Sequence, residues 1–217
     1  MSRPMLTLDF FHDVVCGWCF NISPRLRRLA REMPMEIRHR TFVLQESPAR
    51  MRQVFGSPTR AKQQILEHWA ACQAASDTPE RFNIKGMRKA AFDYPHGLPG
   101  ALACKAAERL GGQDAHWRMF DAIQTAHLTR ARNVADIAVL KKAAEDTGLG
   151  GERFLAKMND PATRDLVDAD RALARRLLVT SVPTIIVRQT GARLINGPIE
   201  DLRAQMRANL TLSGVAG

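Results

Sequence analysis

Asp13-Val14-Val15-Cys16-Gly17-Trp18-Cys19-Phe20-Asn21-Ile22-Ser23-Pro24 places two thiols at C-x-x-C spacing, and its flanks decide how they are read. Upstream, Met5 to Phe11 alternates and ends in Phe10-Phe11, the pattern of a buried strand. Downstream, Phe20, Ile22, Leu26 and Leu29 mark a helix whose polar side carries Arg25, Arg27, Arg28 and Arg31. Met35 to Val43 alternates again and reads as a second strand. Strand, helix and strand in such short compass form a βαβ unit, with parallel strands and a right-handed crossover. Cys16 therefore follows a strand, and Cys19 lies in the first turn of the helix. Pro24, deeper in that helix, costs it a backbone hydrogen bond and is expected to kink it.

This context favours thiol chemistry. The attacking species is a thiolate, and unpaired N–H groups at a helix N-terminus favour negative charge on sulfur. The two-residue spacer lets the second sulfur return to the first and displace a mixed disulfide. A zinc site would need a second ligand pair, but Cys72 and Cys104 stand alone on helical stretches, so no metal is expected. Both are expected to fill core positions, an alternative that also exists for the C-x-x-C pair itself.

From residue 57 to residue 158 the signals are helical. Ser57-Pro58 and Asn133 to Asp136 are helix starts, and Gly111-Gly112 and Gly148 are stops. Tyr94 to Gly100 is a loop. Asp160-Pro161 opens a further helix, Val182 to Arg188 is a β-branched strand, Arg193 to Ile195 its partner, and Pro198 to Leu210 a last helix. The expected architecture is α/β: one domain built from residues 1–56 and 159–217, interrupted by an all-helical insertion over 57–158. That insertion should cap the dithiol side, with the Tyr94 loop near the joint. Pro183, heading an interior strand, is expected to follow a cis peptide and to lie beside the dithiol.

The 13–24 stretch together with Thr180-Ser181-Val182-Pro183-Thr184 resembles the FrnE-like branch of DsbA-type thioredoxin-fold proteins. The likeness spans nearly the whole chain, helical insertion included. It implies a thiol–disulfide oxidoreductase or isomerase with Cys16 as nucleophile, Cys19 as resolving thiol and Pro183 as the cis proline. Val182 would offer its backbone to an extended substrate, and Gly17 and Trp18 would border that substrate. One departure stands out. Many thioredoxin-fold enzymes keep a buried carboxylate where this chain has Phe10, and Asp9 is expected to face the other side of the sheet. Proton transfer then falls to water, or to His12 or Asp13, although such residues beside a loop are usually solvated. The arginines of the first helix likewise read as a solvated face rather than an anion site.

The 217 residues carry 32 Lys and Arg against 22 Asp and Glu, a net charge of +10. Basic residues run no longer than pairs and have no interleaved aromatics, so no nucleic-acid partner is expected. No apolar stretch reaches membrane length, and the first residues lack a leader pattern, so the expected setting is cytoplasmic. Expected partners are thiol- or disulfide-bearing proteins or small molecules, with glutathione or a thioredoxin-type reductant as electron source. No cofactor is expected beyond the redox-active disulfide, with glutathione a possible co-substrate. The rival readings are a glutathione-dependent transferase or isomerase of the kappa-class or hydroxychromene carboxylate isomerase type, and a redox-inactive partner-binding module. The former usually have Ser in place of Cys16 and lack the resolving thiol.

Overall fold

The structure, a computed structural model, describes residues 5–214; residues 1–4 and 215–217, at the ends of the expected α/β domain, lie outside it. Strand β1 (Leu6–His12) is the second of four in the order β2-β1-β3-β4. It pairs in parallel with β2 (Met35–Thr41), Leu6 opposite Met35, and antiparallel with β3 (Thr184–Val187), Phe10 opposite Ile185. A short β4 (Arg193–Leu194) closes the other edge. Because side chains alternate, Leu6, Leu8 and Phe10 enter the large core on one face, while Phe11 packs with Ala174, Val179 and Ile186 on the other. Asp9 points to that second face. There it accepts from Arg40 Nε at 2.7 Å and Arg188 Nε at 2.6 Å, and Arg40 also reaches Asp170 at 3.1 Å.

Helix α1 (Gly17–Glu32) connects β1 to β2 and runs on through Pro24. Between β2 and β3 the described chain is helical. Its helices are α2 (Pro48–Phe55), α3 (Pro58–Ala74), α4 (Ile84–Lys89), α5 (Leu98–Gln124), α6 (Ile137–Asp146), α7 (Gly151–Met158) and α8 (Pro161–Arg176); α9 (Ile199–Leu212) follows the sheet. Helical structure thus begins at Pro48, a short helix ahead of residue 57. Capping explains several starts: Ser57 Oγ accepts from Arg60 N, Asp136 from Ala138 N, and Asp160 from Ala162 N. The Gly111-Gly112 stop is an interruption within α5, where Gly112 takes φ +69°. A π-helical turn, Thr125–Thr129, continues α5 beyond its end. Among the described residues no helix is long and apolar enough to cross a membrane.

Of the first-helix arginines, Arg28 and Arg31 are exposed as expected, but Arg25 and Arg27 are not part of a solvated face. Arg25 is buried: its guanidinium bridges both Asp77 oxygens at 2.7 and 2.8 Å and donates to the carbonyls of Ala75 and Gly197. Arg27 lies over the Trp117 ring and pairs with Asp121 at 2.6 Å. The helical insertion covers this side of α1, so Arg25 and Arg27 find partners in residues distant in sequence.

Candidate active site

The Asp13-to-Val15 turn ends β1 and delivers Cys16 to the N-cap of α1. In that position Cys16 Sγ accepts the Cys19 backbone N–H at 3.2 Å. The Cys16 thiol in turn faces the Val182 carbonyl at 3.6 Å, across 166 residues of chain. The Val182–Pro183 peptide is cis. Cys19 is wholly buried one turn in, and burial, followed by its hydrogen bond to and the charge of Cys16, pushes its thiol well above the usual range. Both thiols are free.

The loop carrying them is tied from the insertion. Gln124 Nε2 donates to Cys16 O at 3.0 Å, and Asn21 Nδ2 donates to Cys72 O at 2.8 Å. The Tyr94 hydroxyl lies 3.2 Å from Val15 O and 2.9 Å from His127 Nε2, and accepts from Trp69 Nε1. Cys72 is a core residue whose sulfur packs against Gly17: a Cβ on Gly17 would meet Cys72 Sγ at 2.9 Å. Cys104 is buried as well.

A cavity of about 460 Å³ opens over the pair. Cys16, Gly17 and Trp18 form one wall, Thr180 to Val182 another, and α2, α3 and the Tyr94 loop the third, through Met51, Phe55, Ile65 and Trp69. Among the described residues no Lys, Arg, Asp or Glu lines it; the polar groups are neutral side chains and His68.

Asp13 and His12 correct the expectation of solvated loop residues. Asp13 is buried, with Oδ1 accepting from Val15 N at 3.3 Å and Oδ2 from Leu44 N at 2.7 Å. Burial raises its carboxyl to about 6 against the downward pull of these amides, and its charge is felt at Cys19. His12 points into the core between β1 and α5, its ring centroid 4.0 Å from that of Phe120. The insertion covers both positions, and no local pattern in the sequence announces that.

A model of the DSBA-like thioredoxin domain matches residues 7–206. The chain belongs to that family. Within the DSBA-like fold it is similar to the cytosolic disulfide reductase DsbM of Pseudomonas aeruginosa, at 26% identity and a TM-score of 0.74 over 95% of this chain and 100% of that one. A further structure of that protein is described with GSH. A 2-hydroxychromene-2-carboxylate isomerase shares the fold at 14% identity, with a TM-score of 0.64 over 97% of this chain and 100% of that one. Among curated proteins, the ClpXP adapter protein SpxH of Shouchella clausii (strain KSM-K16) is 24% identical over 195 residues, which is 85% of this chain and 58% of that protein. The chain thus spans under three fifths of the length of the curated relatives it matches.

Proposed function

We propose that this chain is a dithiol–disulfide oxidoreductase that works through Cys16 and Cys19. The observation that carries the reading is Cys16 Sγ held at the α1 N-terminus on the Cys19 amide, facing the Val182 carbonyl across an open cavity. An N–H aimed at sulfur binds more strongly when the sulfur is an anion. Cys16 thiolate attacks one sulfur of a substrate disulfide, forming a mixed disulfide and releasing the other sulfur as a thiolate that takes up a proton. Cys19 then loses its proton to Asp13 or to water and attacks Cys16 Sγ. The Cys16–Cys19 disulfide forms and the second substrate thiolate leaves. The Val182 backbone, with Pro183 behind it, lines up an extended substrate beside Cys16, and Gly17 and Trp18 border it. The same steps reversed oxidise a dithiol.

The reading extends to the FrnE-like branch and to the reducing direction in a cytoplasmic setting. The likeness to a cytosolic disulfide reductase supports both direction and setting, and that relative's structure with GSH supports glutathione as electron donor. The sulfur pair carries the electrons and needs no bound cofactor. The transferase or isomerase reading gains nothing from the shared fold alone, since both thiols are present. Insulin reduction driven by glutathione or dithiothreitol tests the proposal. The parent chain should turn over, Cys16→Ser should be inactive, and Cys19→Ser should accumulate a mixed disulfide visible by mass spectrometry. An active Cys16→Ser chain would overturn the assignment.

A further inference from the structure

On the face of β1 and β2 that packs against α5, three histidines meet. His12 Nε2 lies 3.2 Å from His39 Nδ1 and 3.2 Å from His116 Nε2. One nitrogen from each of the three rings lies within 4.8 Å of the others, and the residues are buried. His12 and His39 come from paired strands and His116 from α5. Phe10, Trp117 and Phe120 rings surround them.

The protons decide what this cluster is fitted for. His116 Nδ1 lies 2.7 Å from Glu108 Oε2, so its hydrogen points at the carboxylate and the neutral ring turns a lone pair inward from Nε2. A ring nitrogen offers a single in-plane lone pair or a single N–H, yet His12 Nε2 faces two ring nitrogens. A hydrogen on His12 Nε2 is then shared by three nitrogens, and one on His39 Nδ1 instead leaves the lone pairs of His12 and His116 opposed; among the described residues His12 Nδ1 and His39 Nε2 have no partner. A cation in place of that hydrogen satisfies all three lone pairs at once. Tetrahedral zinc–nitrogen bonds put neighbouring ligand nitrogens about 3.3 Å apart, which two of the separations match at 3.2 Å, while the cluster as a whole spans up to 4.8 Å, so an ion would draw the His39 and His116 rings together. Glu108 also occupies the place of the outer carboxylate that orients a metal-bound histidine.

We propose that His12 Nε2, His39 Nδ1 and His116 Nε2 bind one late first-row transition-metal ion of the zinc or copper class, with Glu108 orienting His116. Imidazole nitrogens suit these ions. The opposing charges are Lys105, whose ammonium is held by Glu108 and Asp170, each at 2.7 Å, and, towards His39, Arg27, which is paired with Asp121. Binding costs no proton: the hydrogen on His12 moves from Nε2 to Nδ1.

The test uses the full chain with Cys16→Ser and Cys19→Ser, so that the dithiol takes no metal. Chelator-treated protein is titrated with Co²⁺, then challenged with Zn²⁺. The expected result is one Co²⁺ per chain, with visible bands of nitrogen ligation, no thiolate charge-transfer band, and displacement by Zn²⁺. Glu108→Gln should weaken binding about 10- to 100-fold, and His39→Asn should abolish it. Failure to take up Co²⁺, Zn²⁺ or Cu⁺, or binding unchanged in both variants, would overturn the site. Should the variants fail to fold, ¹⁵N shifts of the six histidines in the otherwise unaltered chain decide. Zn²⁺ must move those of His12, His39 and His116, and unmoved resonances reject the proposal.

Discussion

The Cys72 sulfur occupies the space a side chain on Gly17 would need: an ideal Cβ there would sit 2.9 Å from Cys72 Sγ and 3.2 Å from Cys72 Cβ. The residue after the candidate nucleophile is thus fitted to a helix of the insertion. Gly17→Ala should cost about 1–3 kcal/mol by overpacking. Adding Cys72→Ala should recover part of that loss, since the sulfur leaves and the Cβ remains. Urea unfolding of the four proteins in the cycle measures the coupling; strictly additive losses would contradict this contact.

Asp13 titrates near 6 in the folded chain, above the 3.8 of an ordinary aspartate. The folded state therefore binds this proton more tightly than the unfolded state does. As pH falls from 7 towards 4 the Asp13 contribution grows more favourable to folding, and it levels off below that. On the scale of 1.4 kcal/mol per unit its full swing is about 2–3 kcal/mol. Asp13→Asn should remove this component, seen as the difference between the two stability–pH curves. An unchanged difference across pH 4–7 would refute it.

The same carboxylate bears on Cys19, whose thiol resists ionisation. If Asp13 takes the Cys19 proton, Asp13→Asn should slow release of the mixed disulfide by about 100-fold and leave the first attack by Cys16 nearly unchanged. Single-turnover quenching separates the two steps. Equal slowing of both would make Asp13 a scaffold residue.

Arg25 staples α1 to the segment after α3 and to the loop before α9. Arg25→Ala should destabilise by about 2–3 kcal/mol, from lost charged hydrogen bonds and packed stem. Arg25→Lys should restore less than half, because a point charge cannot reproduce the fork. Asp77→Ala should cost less than either, since Asp77 is well exposed and Arg25 keeps its two carbonyl partners. Midpoints of urea unfolding provide the ranking.

What the sequence revealed was local. Alternation in 5–11 and 35–43, helical spacing after Cys19, and a proline before a β-branched run placed the sheet, the α1 N-terminus and the Val182 strand. What it concealed depended on partners far along the chain. Asp13 looks like a loop residue until Leu44 and the Tyr94 loop close over it. Arg25 reads as solvent-facing because Asp77 lies 52 positions away. His12, His39 and His116 share no motif spacing, and only strand pairing and the packing of α5 bring them together. Periodicity reports which side of an element is covered, not which distant side chain covers it.

The ties on the Cys16 turn have a consequence for how the protein is made. Its anchors lie at Cys72, Tyr94, Gln124 and finally Val182, the last 166 residues beyond the first thiol. Contacts of such long sequence separation form late, because the intervening chain must first be ordered. During synthesis both thiols leave the ribosome 166 residues ahead of Val182 and wait, unshielded and without the carbonyl they will face, until that strand has followed. The reactivity proposed for Cys16 would then be a late acquisition, and a chain stopped short of the Val182 strand would carry the motif without the surroundings described here.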